Sequence, residues 1–125
     1  MSTLNVANIS DGTDSVPTGY VVKGSAKSWV NLYGKETPYI VASMNVSSLV
    51  DAGAGRYEIY LTSSMSSSNE YAITATKQDT TVNTDSTCFD TLDNRGAGVY
   101  VILSIEAAVP RDSNNVNAVQ MGELA

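Results

Sequence analysis

The dominant period along the chain is two. Arg56-Tyr57-Glu58-Ile59-Tyr60-Leu61-Thr62 places Tyr57, Ile59 and Leu61 on one face and Arg56, Glu58 and Thr62 on the other, the alternation of a half-buried strand. Glu70 to Thr76 repeats it, with Tyr71, Ile73 and Ala75 aligned. Both runs are rich in aromatic and β-branched side chains, which suit a pleated surface. Ala26 to Tyr33 alternates less cleanly, with Ala26, Val30 and Leu32 on one side and Trp29 and Tyr33 on the other. Tyr39 to Met44 and Val99 to Ala107 are more continuously apolar, which predicts strands covered on both faces.

Turn signals divide these runs. Gly34, the pair Gly53 and Gly55, and the pair Gly96 and Gly98 supply backbone angles that other residues resist. Ser63 to Asn69 is a polar connection, and no segment carries apolar residues at helical spacing over three turns. The expected fold is therefore all-β, an antiparallel β-sandwich of jelly-roll type. Residues 1–20 read differently. Leu4, Val6 and Ile9 fit one short strand, and Asp11 to Gly19 a loop or linker. A strand isolated in this way is rarely stable alone. This arm is thus expected to attach or oligomerise the protein through Leu4, Val6 and Ile9, with residues 21–125 forming the sandwich. Near the other end, Arg111 to Asn117 reads as loop and Val119 to Ala125 as a last edge strand.

A chain of 125 residues with one Trp and one Phe builds a single, thin core, in which Trp29, Tyr57 and Tyr71 are expected. The net charge is −6, and the seven cations are scattered from Lys23 to Arg111. That argues against nucleic acid and anionic membrane as partners, both of which need clustered Lys and Arg. No apolar stretch is long enough to cross a bilayer. The opening residues lack the basic and apolar regions of a secretory signal.

The residue inventory also limits chemistry. His is absent, so neither a Ser-His-Asp nor a Cys-His nucleophile system can be built. Cys88 stands alone, which excludes an intrachain disulfide and a Cys-rich zinc site; it is expected as a small buried apolar residue. Phosphate-cradling glycine motifs are missing. Glu58, Asp90 and Glu106 are the acids on predicted strands, and nothing in their spacing brings two together as a glycosidase pair. Asp11 to Asp14 and Asp90 to Asn94 depart from the calcium-loop pattern and read as turn formers. No catalytic residue, metal or cofactor is expected, and a polysaccharide-cleaving enzyme is the least favoured reading.

Gly24-Ser25-Ala26-Lys27-Ser28-Trp29-Val30-Asn31-Leu32-Tyr33-Gly34, followed by Asn45-Val46-Ser47-Ser48 and the run to Thr62, resembles a module of tailed-bacteriophage tail-fibre and appendage proteins. The carriers of the resemblance are Ala-Lys-x-Trp-Val-Asn and Asn-Val-Ser-Ser at the matching separation. Asn69 to Ile73 and the closing Met121-Gly122-Glu123-Leu124-Ala125 are also similar. The likeness covers residues 20 to 75 and the last few, departs at Lys35 to Tyr39, and has no counterpart for residues 78 to 98. It implies a virion protein made in the bacterial host cytoplasm, usually a homotrimer, seated among other virion proteins and able to touch the host surface, with no catalytic residues; a host surface glycan is the candidate receptor there. Because binding residues concentrate on loops, Asn83, Asp85, Asp90, Asn94 and Arg95 are the expected receptor contacts. The alternative is a capsid decoration or head-fibre protein that binds the phage shell.

Overall fold

A computed structural model of the chain describes residues 1–78 and 86–125. The alternating runs form strands with nearly the expected bounds. β1 (Asn8–Ser10) and β2 (Ser15–Pro17) precede a short helix, α1 (Thr18–Gly24). Then follow β3 (Ala26–Tyr33), β4 (Tyr39–Met44), β5 (Val46–Asp51), β6 (Arg56–Leu61), β7 (Tyr71–Gln78), β8 (Ser86–Gly96), β9 (Val99–Glu106), β10 (Val109–Pro110) and β11 (Asn115–Gly122).

These strands build an antiparallel β-sandwich. One sheet has the order β4-β3-β11-β7; the other places β6 between β5 and β9, with β8 and β10 also pairing with β9. Ile105 and Glu106 pair with both β8 and β10, so those two strands lie on opposite sides of β9. Between the sheets, Val30 and Leu32 of β3, Tyr57 and Ile59 of β6, Tyr100 and Ile102 of β9, and Val116 and Ala118 of β11 are buried. The period of two creates this core directly, because alternate residues of each strand face the opposing sheet. The chain changes sheet between β4 and β5 at Asn45, whose φ is 56°, a left-handed conformation that Asn tolerates better than most residues. Its side chain locks the corner, with Nδ2 donating to the Ser63 carbonyl at 3.0 Å and Oδ1 accepting from the Ser63 N–H at 2.7 Å. β3 and β11 are neighbours throughout, Ala26 opposite Met121 and Tyr33 opposite Asn115.

Several expectations require correction. Ile9 does find a partner within the chain: it pairs with Val16 in the β1–β2 hairpin, while Leu4 and Val6 precede any strand. Residues 18–24 form a helix where none is expected, beginning inside the Asp11 to Gly19 segment read as loop and running into the start of the expected sandwich, with none of its residues buried. β4 is covered on neither face along most of its length, since it is the edge of its sheet. β11 begins inside the segment read as loop, and it is a central strand between β3 and β7 rather than an edge. Trp29 points outward: Ser28, Val30 and Leu32 take the core side of β3 and leave Trp29 on the outer face. Tyr57 and Tyr71 are in the core as expected. Cys88 is half-buried against the core and free.

Candidate functional site

The two ends of the sandwich differ. At one end, the turns after β3, β5 and β9 surround a cleft of about 660 Å³ lined by Lys35, Glu36, Glu106, Arg111 and Asp112 among others. Next to it, joined through Asp112, lies a hydrogen-bonded network built by the core strands and their turns. The buried Tyr57 hydroxyl donates to the Gly34 carbonyl at 3.0 Å and accepts from the Ser113 N–H at 3.2 Å. Ser113 Oγ meets Ser104 Oγ at 2.7 Å, and Lys77 Nζ donates to Ser104 Oγ at 3.2 Å and to the Ile105 carbonyl at 2.9 Å. Asp112 Oδ1 accepts from the Gly55 N–H at 2.6 Å. Burial raises the Tyr57 phenol well above its ordinary range, so the hydroxyl stays protonated as a donor. Gly55 has φ 66°, and a Cβ there would stand 2.6 Å from the Arg111 nitrogen, so the approach of these two turns admits only glycine.

Three of the five non-glycine residues with positive φ border this end: Glu36 at 58°, Ala107 at 48° and Ala108 at 63°. Backbone held in such angles is typical of loops whose shape serves a purpose. Tyr33 and Tyr39 flank the β3–β4 turn with ring centroids 5.3 Å apart, and Tyr39 is exposed.

The opposite end carries the N-terminal segment. No residue from 1 to 26 is buried. The hairpin is tied to itself and to the start of α1, with the Thr18 N–H donating to the Ala7 carbonyl at 2.9 Å. Asp11 Oδ1 accepts from the Thr13 and Asp14 N–H groups at 2.9 and 2.8 Å, a turn whose donors hold the carboxyl below its ordinary pKa. An ion pair ties it to the body, Lys23 Nζ to Glu123 Oε2 at 3.7 Å, between exposed side chains. Pro17, Gly19, Tyr20, Lys23 and Gly24 surround a shallow hollow beside α1. Leu4, Val6 and Ile9 are all exposed.

Of the expected receptor contacts, Asn83 and Asp85 lie outside the described residues. Asp90, Asn94 and Arg95 belong to β8. There, Leu92 to Arg95 bulge out opposite the single residue Tyr100. Arg95 is a fastener. Its Nη1 donates to Asp90 Oδ2 at 2.7 Å, Nε to the Ser68 carbonyl at 3.1 Å and Nη2 to the Tyr71 carbonyl at 2.9 Å. The guanidinium also stacks on the Tyr71 ring at 4.2 Å from its centroid. Burial raises the Asp90 carboxyl although Arg95 pulls it down, and Asp90 Oδ1 has no partner among the described residues. Asn94 reaches over the outer face, Nδ2 donating to Glu58 Oε2 at 3.1 Å, which also accepts from the Tyr60 hydroxyl at 3.1 Å. Glu58 and Asp90 therefore sit on opposite faces of one sheet, because Glu58 alternates with the buried Tyr57 and Ile59 while Asp90 pairs with the buried Ile102. They do not form a carboxylate pair. The described residues assemble no group of three His, Cys, Asp or Glu, and no helix among them is long and apolar enough to cross a membrane.

The cleft and the outer face of the four-stranded sheet lie outside what is expected from the sequence. Lys35, Glu36, Arg111 and Asp112 come from two separated turns, so their meeting is a tertiary event with no local signal. Trp29 had a signal: its partition opposite Val30 and Leu32 marks it as the outward residue once those two are placed in the core. Comparison with family models, with curated proteins and with solved structures finds no match for the chain.

Proposed function

We propose that the chain is a non-enzymatic structural protein of a tailed-phage virion, a homotrimeric fibre or appendage module that contributes to attachment to the host surface. The observation that carries this reading is the N-terminal segment. It exposes Leu4, Val6 and Ile9 and buries nothing of its own, so the partner for its apolar surface lies outside the folded body. A larger assembly supplies such a partner. The resemblance of Ala26 to Asn31 and Asn45 to Ser48 to tail-fibre modules supports the same assignment.

The polarity of the molecule fits an appendage. β11 runs from the cleft end, at Asn115, to the arm end, at Gly122, so anchoring and display fall at opposite ends of the sandwich. The display end offers the exposed Tyr39 stacked near the half-buried Tyr33, beside Lys35, Glu36 and Arg111, groups suited to stacking and hydrogen bonding with a sugar. Gold-conjugated antibody against the protein, applied to intact virions, tests the assignment. Label on the tail or a fibre is the expected result. Label confined to the head shell would favour the decoration reading, and virions that lack the protein altogether would refute both.

A further inference from the structure

The outward positions of the four-stranded sheet form a surface unlike the rest of the molecule. Trp29 of β3 stands directly opposite Met44 of β4 on one side and Val119 of β11 on the other, and Val119 faces Thr74 of β7. The result is an apolar row across three adjoining strands. Met121 extends it, and Trp29, Met44, Val119 and Met121 are each 37 to 39% exposed. The chain has 20 charged residues, 7 basic and 13 acidic. By strand alternation, the outward side of this sheet carries one of them, Lys27, at its rim.

We propose that this face, whose outward strand positions carry no carboxylate, is where copies of the chain meet. The inference rests on the homo-oligomer reading above and adds its location. Charge selects the occupant. Two molecules of net charge −6 repel one another wherever their acidic surfaces approach, and like charges brought together across an interface cost several kcal/mol. On this face they meet without placing a carboxylate against a carboxylate. The composition agrees, since interface centres are depleted in charge and enriched in aromatics and Met. So does the size. Four strands about 4.8 Å apart and roughly eight residues long, at about 3.3 Å each, span on the order of 500 Å². Three such faces converging on the axis of the proposed trimer remove on the order of 1,500 Å² in all, within the range of a specific interface.

Trp29 is the sole Trp and reports on the face without any substitution. The experiment combines light scattering with Trp fluorescence on the full chain across a dilution series, then repeats both on Val119→Glu and on Val50→Glu. Val50 is an exposed residue on the edge strand of the other sheet. The wild type is expected at a multiple of 13.2 kDa, with Trp29 emission moving to the red and acrylamide quenching rising as the oligomer dissociates. Val119→Glu is expected to weaken association by roughly 100-fold or more with an unchanged far-ultraviolet circular dichroism spectrum, whereas Val50→Glu leaves it intact. A wild type that is monomeric at every concentration would remove the homo-oligomer reading and the inference with it. An oligomer that ignores Val119→Glu, or in which Trp29 is as accessible to acrylamide as in the monomer, would overturn the inference alone.

Discussion

Tyr57 shows how one side chain in this protein serves two purposes. Its ring is part of the core, and its hydroxyl stitches the turn after β3 to the segment before β11 through Gly34 and Ser113. Replacing it by Phe keeps the packing and leaves a buried carbonyl and a buried N–H without their partner. Such groups cost about 1–3 kcal/mol when orphaned. Tyr57→Phe is therefore expected to lower the unfolding free energy by that amount, read as a lower urea midpoint with an unchanged slope. An unaltered midpoint would mean that water from the cleft replaces the hydroxyl. Arg95 is the counterpart at the other end, joining β8 to the start of β7 through Asp90 and Tyr71. Its lesson is that a charged residue beside a turn glycine can be fully occupied inside the fold, whatever its sequence neighbourhood suggests.

At the level of the element, the β9–β10 hairpin turns through two residues, Ala107 and Ala108, with φ values of 48° and 63°. This is the mirror-image turn that favours Asn-Gly, because both positions need left-handed backbone. The double substitution Ala107→Asn, Ala108→Gly is expected to raise stability by about 1 kcal/mol, seen as a melting temperature several degrees higher. A lower melting temperature would show that the alanine methyls make contacts worth more than the strain. The same elements explain what the sequence revealed. β3 and β4 were legible to the residue because Gly34 closes the first and an apolar run from Tyr39 to Met44 delimits the second, although neither alternates cleanly. β11 was obscured by Asn115, Asn117 and Gln120, and Gln120 is buried only because its Oε1 accepts from Ser28 Oγ at 2.9 Å, a partner 92 residues away. α1 carried no helical signal, as Gly19, Val21 and Val22 are weak helix formers and it buries no face. The bulk of Trp29 suggests a core position, but its place in the alternation puts it on the outer face. The cleft and the Asp90–Arg95 pair depend on which turns and strands meet, which no local pattern encodes.

For the molecule as a whole, burial governs the response to pH. It raises the Cys88 thiol to about 11, opposed by Lys77, and lifts the phenols of Tyr57, Tyr71 and Tyr100. A group whose folded pKa lies above its unfolded value stabilises the fold fully below the unfolded value and loses that contribution as pH rises through the folded one. For the thiol this window runs from its ordinary 9.0 to about 11, and the phenols extend it upward. Stability is expected to fall by roughly 1–2 kcal/mol across that window, after discounting for the partial exposure of Cys88, with a shallower fall in Cys88→Ala. A denaturation midpoint that stays flat from neutral pH through this range would contradict the burial of these groups. The pairing of Ala26 with Met121 has a mechanical consequence. The chain enters and leaves the sandwich on adjacent antiparallel strands at the same end, so tension between its two termini peels β3 from β11 one hydrogen bond at a time. Tension between the N-terminal arm and the cleft end instead loads the ladders of β3 in shear, where the bonds to β4 and β11 share the force. An appendage held at one end and pulled at the other is loaded along its strong direction.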